Sequence, residues 1–373
     1  MAARRVSILT LNVGSSSLKF GVYVPHGDEV ELALEGGVDM SGNGGSIRYR
    51  NEHDGPFTSH PWNAQASPMR ALLKLPPFAA LGQPDIVAHR VVHGGPWLRK
   101  HCIIDGQVVE KIEAAASFAP LHVPAALSWI RHAREGLPNA TQVACFDTAF
   151  HYPLPDLARI LPLPHGLQEH GVERFGFHGL SCESIVRQLG SSLPSRVVVA
   201  HLGSGASLTA IQDGRSIDTT MGMTPTGGII MATRPGDLDP GVLLFLLRQG
   251  HVDADGLEDM LEHRSGLRGI SDLSGDAREL AAADGKPLAE LALAQFAQSV
   301  ARQAAGLAVV LGGLDLLVFT GGIGENDNST RERVIAHLRP CFPAFLTRVI
   351  PAQENRMMAV HARRLADPTM AGS

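Results

Sequence analysis

The sequence predicts an α/β protein built from two duplicated domains that face each other across a central cleft. Short β-branched runs alternate along the chain with helical apolar patterns, which is the order of α/β proteins. A pattern of strand, small-residue turn, strand, turn, strand begins at Val6 and returns at Arg196, the mark of a duplication. The length of 373 residues, at roughly 100 to 200 residues per domain, accommodates two such domains.

The first pattern places strands over 6–11, 18–24 and 29–36, with a Gly-Ser turn after the first. Gly, Pro and His are concentrated over 36–77, which reads as loops and irregular connections. Apolar strands follow over 85–92 and 142–146. Ser181 is the expected N-cap of a helix that follows the glycine-rich segment 174–180. The second pattern has strands over 196–201, 208–212 and 215–220, the first two joined by Gly203-Ser204-Gly205-Ala206-Ser207. A helical pattern of Leu and Ala covers 287–311, and a strand over 315–320 leads into a turn at Gly321. Ligands of open α/β sheets bind outside the carboxyl ends of the strands. Asn12, Arg90, Asp147 and the turns at Gly203 and Gly321 each close an apolar run, so the polar residues gather at those ends.

Composition removes several function classes. A hydrophobic content of 44% gives the chain a real core and excludes disorder and fibrous repeats. With 32 Lys plus Arg against 37 Asp plus Glu, the chain lacks the basic footprint of a nucleic-acid or membrane-surface protein. Cys102, Cys145, Cys182 and Cys341 form no C-x-x-C pair, so neither a zinc ribbon nor a disulfide framework is indicated and a cytoplasmic location is expected. The apolar start gives way to GSSSLKF without a small-residue cleavage site and is read as a strand rather than a signal peptide. The longest uncharged apolar segment, between Arg302 and Asp315, is shorter than the roughly 18 residues of a membrane span.

Three small-residue turns could carry phosphate chemistry. In Asn12-Val-Gly-Ser-Ser-Ser-Leu-Lys19, small residues allow close backbone approach, hydroxyls and amides can bond phosphate oxygens, and an ammonium follows. A plain hairpin turn is the alternative, since no Walker A pattern occurs. His201-Leu-Gly-Ser-Gly-Ala-Ser207 and Thr320-Gly-Gly-Ile-Gly-Glu-Asn326 complete no G-x-G-x-x-G, but three such turns at strand ends can together wrap a nucleotide. Arg90 and Arg234 stand beside glycines at strand ends, where an arginine fork suits a carboxylate or phosphate. Asp147 is either a Mg²⁺ ligand or a capping carboxylate. His178, between aromatic and glycine neighbours, is a candidate electrostatic donor. The absence of H-E-x-x-H and G-x-S-x-G speaks against a metalloprotease or a serine hydrolase.

Taken together, LNVGSSSLKF, HRVVHGG, APLH, CFDTAFH, RFGFHGLS, HLGSGAS, DTTMGMTPTGG, TRPGDLDP, FTGGIGEN and PAQEN resemble the acetate kinase (acetokinase) family of the sugar kinase, Hsp70 and actin superfamily, nearly end to end. The resemblance implies two actin-like, ribonuclease H-like ATPase domains. It divides the chain into an N-terminal domain over 1–146, completed by a C-terminal helix over 358–373, and a nucleotide-binding C-terminal domain over 147–357. It implies Asn12 and Glu354 as ligands of Mg²⁺ or Mn²⁺, Lys19 in the phosphate loop, Arg90 on the substrate carboxylate and Asp147 as the active-site carboxylate. His178 and Arg234 would stabilise the transferring phosphoryl group. The nucleotide, ATP or ADP, would lie against His201, Leu202, Gly203, Ser204 and Gly205, against Asp276, Ala277 and Arg278, and against Gly322, Ile323, Gly324, Glu325 and Asn326. Val92, Leu121, Phe177 and Pro225 would form the pocket for the substrate's methyl group. A homodimer with no nucleic-acid or membrane partner is implied as well.

Several positions depart from the family pattern. Ser204 replaces Asn in HLGNG, Thr226-Gly227 stand where Leu-Glu is common, Pro235 replaces Ser in TRSGD, and Leu180 and Cys182 replace Thr and His. None removes a candidate catalytic side chain. The implied reaction is reversible, Mg²⁺-dependent transfer of the ATP γ-phosphoryl group to acetate. Propionate or butyrate kinase is an alternative, because one methylene changes discrimination by only about 1 to 3 kcal/mol. A nucleotide-binding ATPase that phosphorylates no carboxylate is another.

Overall fold

The computed structural model describes residues 6–14, 17–39, 45–51, 55–62 and 68–367. It contains two compact units, Met1–Ala149 with Gln353–Ser373, and Phe150–Ala352. The division thus falls three residues after the sequence-based one, and the chain re-enters the first unit at Gln353.

The first unit holds β1 (Ile8–Val13), β2 (Ser17–His26), β3 (Glu29–Asp39), β4 (Gly45–Arg50), β5 (Thr58–Trp62), β6 (Ile86–Val91), β7 (Cys102–Ile103) and β8 (Thr141–Phe146). They form one sheet in the order β5-β4-β3-β2-β1-β6-β8-β7. The β5-to-β1 side is antiparallel, β1, β6 and β8 are parallel, and β7 returns antiparallel. Strands β1, β6 and β8 are buried along nearly their whole length, so they read as continuous apolar runs rather than alternating ones.

The expectation of loops over 36–77 is corrected here. Strand β3 runs on to Asp39, β4 and β5 extend the sheet, and the helices α1 (Pro68–Leu73) and α2 (Pro76–Leu81) follow. In β4 the period of two is carried only by Ile47 and Tyr49, which are buried between Ser46, Arg48 and Arg50 and are easily hidden by the Gly and His around them. Helices α3 (Gly106–Ala114) and α4 (Val123–Gly136) complete this part of the unit. Met69, Leu72, Phe78, Trp129 and Ala133 pack on Leu9, Leu11, Phe20 and Leu34 to form its main core.

The second unit holds β9 (Arg196–Leu202), β10 (Ala206–Gln212), β11 (Arg215–Thr219), β12 (Leu316–Thr320) and β13 (Leu346–Val349), ordered β11-β10-β9-β12-β13. Its antiparallel trio and parallel pair repeat β3-β2-β1-β6-β8 strand for strand. This is the duplicated, ribonuclease H-like topology. Its helices are α5 (Asp156–Arg159), α6 (Gly179–Leu189), α7 (Pro240–Arg248), α8 (Ala254–His263), α9 (Gly266–Ser271), α10 (Ala277–Ala281), α11 (Pro287–Val310), α12 (Gly321–Asn326) and α13 (Asn328–Leu338).

Helix α11 starts with Pro287 in its first turn, where the missing N–H costs nothing, and buries Ala289, Leu293, Phe296, Val300, Ala304 and Leu307 at three- and four-residue spacing. Cys182, Ile185 and Leu189 of α6 pack on Val197, Val199 and Val318. The N-cap of α6 is His178 rather than Ser181, which lies inside the helix.

In the first unit, α14 (Glu354–Ala366) packs on β1, β6 and β8 through Met357, Met358 and Ala359. It begins four residues earlier than the expected C-terminal helix, and 368–373 lie outside the described residues. Among the described residues, no helix is long and apolar enough to cross a membrane.

Candidate active site

The parallel register of the first unit brings three strand ends together. Leu11 pairs with His89 and Arg90 with Cys145, so Asn12, Arg90 and Asp147 emerge side by side at the carboxyl edge of the sheet. The Arg90 guanidinium donates from Nε to both Asp147 carboxylate oxygens at 3.0 Å and from Nη2 to Oδ2 at 2.5 Å. Its Nη1 donates to Asn12 Oδ1 at 3.1 Å, and Asn12 Nδ2 donates to Glu354 Oε2 at 2.8 Å. These contacts use one hydrogen on each guanidinium nitrogen, so each terminal nitrogen keeps a second for an anionic ligand. Glu354 is the first residue of α14, where the helix dipole favours a carboxylate.

Burial works against the Arg90 charge, but the Asp147 and Glu354 carboxylates outweigh it and push its pKa up. Burial also pushes the Asp147 carboxyl up from the ordinary carboxylate range, with Arg90 pulling it down and Glu354 pushing it up. Lys19 stands opposite Asn12 across the β1–β2 pair, on the same face of the sheet, and is exposed. Gly14 N–H donates to Ser17 O at 2.7 Å to close this turn, while Ser15 and Ser16 lie outside the described residues.

The second unit assembles its own cluster. His178 adopts a left-handed backbone with φ of 57°, which costs a non-glycine residue roughly 1 to 2 kcal/mol and turns its ring over the end of β9. Its imidazole stacks on His201 with ring centroids 4.2 Å apart and planes 14° apart. Ser207 Oγ holds His178 Nδ1 at 2.9 Å, and Ser181 Oγ holds His201 Nδ1 at 2.8 Å. Each hydroxyl thereby fixes one ring nitrogen and leaves the orientation of Nε2 set.

Arg234 donates from Nη1 to Pro225 O at 2.6 Å. Gly205 is where this cluster closes. A Cβ on residue 205 would stand 2.9 Å from Arg234 Nη2 and 3.4 Å from His178 Nε2. Only a residue without one leaves that point open to a ligand.

Of the expected nucleotide residues, Leu202 ends β9 and Gly203, Ser204 and Gly205 turn the chain into β10, with Gly203 N–H donating to Gly205 O at 3.2 Å. Gly321 follows β12 as the first residue of α12 with φ of 78°, and a Cβ there would press on Leu202 O at 2.7 Å, so the two turns lie back to back. Gly322, Ile323, Gly324, Glu325 and Asn326 form α12. The Glu325 carboxylate accepts from Gly321 N at 3.0 Å and from Ala352 N at 3.2 Å, so it holds its own turn.

Asp276 caps α10 over Ala277 and is paired with exposed Arg278 at 2.6 Å. Ala232 links this segment to the first turn: its N–H donates to Ser204 O at 3.2 Å, and its carbonyl would lie 2.8 Å from a Cβ on Gly275. Phe177 and Pro225 of the expected methyl pocket are buried in the second unit, while Val92 is buried and Leu121 half-buried in the first.

Sequence reasoning missed Ser181, Ser207, Thr226 and Glu262. The hydroxyls lie inside the family-like segments, where Ser181 reads as an N-cap, Ser207 as a turn residue and Thr226 as a departure from the family pattern. Nothing local sets Glu262 apart from the other acidic residues around it in the sequence.

The first-unit cluster also fits a divalent cation. Asp147, Glu354 and Asn12 offer a net negative, all-oxygen donor set, the chemistry that hard cations select, and Arg90 opposes only part of that charge. All four cysteines are free thiols.

Comparison with known proteins gives the family. The model of the acetokinase family matches residues 7–342. An acetate kinase of Rhodopseudomonas palustris is 41% identical, with 96% of this chain and 98% of that protein covered. One of Methylocella silvestris is 42% identical, covering 88% and 85%. A propionate kinase from Francisella tularensis superposes with a TM-score of 0.87 at 33% identity, over 96% of this chain and 100% of that one. The acetate kinase of Porphyromonas gingivalis superposes with a TM-score of 0.83 at 30% identity, over 97% and 100%. The matched segment includes Asn12, Arg90, Asp147, His178 and Arg234, and on this span and identity the chain belongs to the acetokinase family.

Proposed function

We propose that the chain catalyses reversible transfer of the γ-phosphoryl group of ATP to acetate, giving acetyl phosphate and ADP. The observation that carries this reading is the meeting of Arg234 Nη2 and His178 Nε2 over Gly205, at the end of a glycine turn. Two donors aimed at one open point suit the spread negative charge of a transferring phosphoryl group.

The acceptor is a carboxylate already ionised near neutral pH, so the nucleophile requires no strong base. The harder task is to bring one anion up to another. Arg90 supplies a fixed guanidinium for the acetate oxygens, and Asp147 holds it in orientation. Arg234 and His178 donate to phosphoryl oxygens, with Ser207 fixing which nitrogen of His178 faces the ligand. Val92, Leu121, Phe177 and Pro225 are the apolar residues assigned to the acetate methyl group. Asn12, Asp147 and Glu354 would hold Mg²⁺, which supplies charge neutralisation on the phosphate oxygens when bound. The turn at 201–205, the segment 276–278 and α12 receive the nucleotide.

The working form is a homodimer in the cytoplasm. Support for the dimer comes from α7, which buries none of its residues yet presents Val242, Leu244, Phe245 and Leu247 to solvent.

Trapping the product with hydroxylamine tests the reaction. Hydroxamate formed from ATP and acetate, with ADP released in equal amount, is expected. ADP release that does not depend on a carboxylate overturns the proposal, and initial rates with acetate, propionate and butyrate rank the acceptors.

A further inference from the structure

We infer that Glu262 is a positioning residue for Arg234, brought in from α8 and locked in place by the hydroxyl of Thr226. The inference rests on the role proposed above for Arg234 at the phosphoryl group. Helix α8 carries several acidic residues, of which Glu258 and Asp259 are exposed and Asp259 pairs with His263 and Arg264 near the surface. Glu262 differs. Its side chain is 12% exposed, the same as that of Arg234, and its Oε2 stands 3.9 Å from Arg234 Nε.

Three contacts tie it to the loop that carries the arginine. Thr226 Oγ1 donates to Glu262 Oε1. Thr233 Oγ1 donates to the Glu262 main-chain oxygen at 2.6 Å. The third is the ion pair itself. Thr226 and Thr233 bracket the segment that ends at Arg234, so one residue of α8 pins both ends of it.

The consequence lies in how the guanidinium is used. Nη1 is held by Pro225 O, and Nε faces the Glu262 carboxylate. Nη2 is the nitrogen left over Gly205. A carboxylate on the Nε edge supplies a counter-charge without occupying the nitrogen that meets the ligand. Burial lowers the Arg234 pKa, and Glu262 opposes that shift. The departure at Thr226-Gly227 fits the same picture. A carboxylate is missing from position 227, one arrives from α8, and the residue that replaces Leu is the one that anchors it.

Glu262→Gln keeps the shape and the contact with Thr226 while removing the charge. Expected is a fall in kcat of about 10- to 100-fold, the usual cost of losing a supporting partner. KM for ATP and acetate should stay within about threefold, and the thermal midpoint close to that of the parent, because binding and fold are otherwise retained. Thr226→Val, which releases the carboxylate without removing it, should move kcat in the same direction by less.

The charge change is then repeated in an Arg234→Ala background. There Glu262→Gln should cost nothing further, since its only route to the reaction is gone. A Glu262→Gln enzyme with parental kcat, or one whose loss is the same in both backgrounds, overturns the inference. Normal turnover by Arg234→Ala alone overturns the role of Arg234 instead, which separates the two failures.

Discussion

Arg90 and Asp147 meet at the ends of two neighbouring parallel strands, with Nη2 2.5 Å from Oδ2 and Nε 3.0 Å from both carboxylate oxygens. Asp147 is 1% exposed and the Arg90 side chain 16%, so the carboxylate has no water to replace its partner. The carboxylate therefore serves both the fold and the aim of the guanidinium.

Asp147→Asn keeps the volume and removes the charge. The Arg90 guanidinium then loses its main counter-ion and its fixed direction. Turnover should fall at least about 100-fold, and unfolding free energy by about 3 kcal/mol, the cost of leaving one member of a buried pair alone. Steady-state kinetics and urea unfolding of the same preparation check both. Parental stability would show that the pair is not a structural partner, and parental turnover that Arg90 needs no orientation.

How far the sequence reveals this site depends on the residue. Asn12, Arg90 and Asp147 are legible because each closes an apolar run, and strand ends are where α/β sheets bind ligands. Parallel registry alone then brings them into contact. Glu354 was reached only through the family resemblance, since nothing local to PAQEN shows that a helix starts there and meets Asn12. Glu262, Ser207 and Thr226 were not legible, because their meaning lies in contacts between segments far apart in sequence. Strands β4 and β5 were hidden for a local reason: in β4 two buried side chains among glycines and charges are too weak a period-two signal, and in β5 none of Thr58, Ser59, His60 and Pro61 is buried.

Gly205→Ala tests the open point directly. The added methyl would stand 2.9 Å from Arg234 Nη2 and 3.4 Å from His178 Nε2. The end of an arginine side chain can move aside, so the fold should survive with little change in thermal midpoint. Moving it by even about 1 Å misplaces the donor, for which roughly 100-fold in kcat is the expected scale. Unchanged kcat in Gly205→Ala would remove this point from the reaction.

The apolar face of α7 gives a prediction about assembly. Phe245 is 56% exposed, beside Leu244 and Leu247 on the same helix. Phe245→Asp places a charge on that face, where it costs nothing in a monomer and has no partner in an interface. Light scattering should show a dimer for the parent and a monomer for the variant, with the fold of each chain retained. A variant that remains dimeric would exclude α7 from the interface.

Acid stability follows from two histidines buried in a neutral state. His89 is 1% exposed, bonds Gln142 Oε1 through Nε2 at 2.8 Å, and has no partner for Nδ1 among the described residues. His151 is 2% exposed and is held by Ser216 Oγ and Phe177 O, both at 2.9 Å. Burial pushes each down to about 4.

Because the folded pKa lies below the ordinary value near 6.5, the unfolded chain takes up the proton first as pH falls. Their stabilisation is complete above about pH 6.5 and is lost progressively towards pH 4, by about 3 kcal/mol for each histidine. The raised carboxyl of Asp147 acts with the opposite sign, since its folded form takes up the proton first.

A single substitution isolates one histidine from that background. Urea unfolding of the parent and of His89→Gln between pH 7 and 4.5 should give a pH dependence flatter in the variant by up to about 1.4 kcal/mol per pH unit, the contribution of one proton. The slope is compared rather than the absolute stability, so any packing cost of the glutamine cancels. Parallel curves would mean that His89 takes up its proton in the folded chain as readily as in the unfolded one.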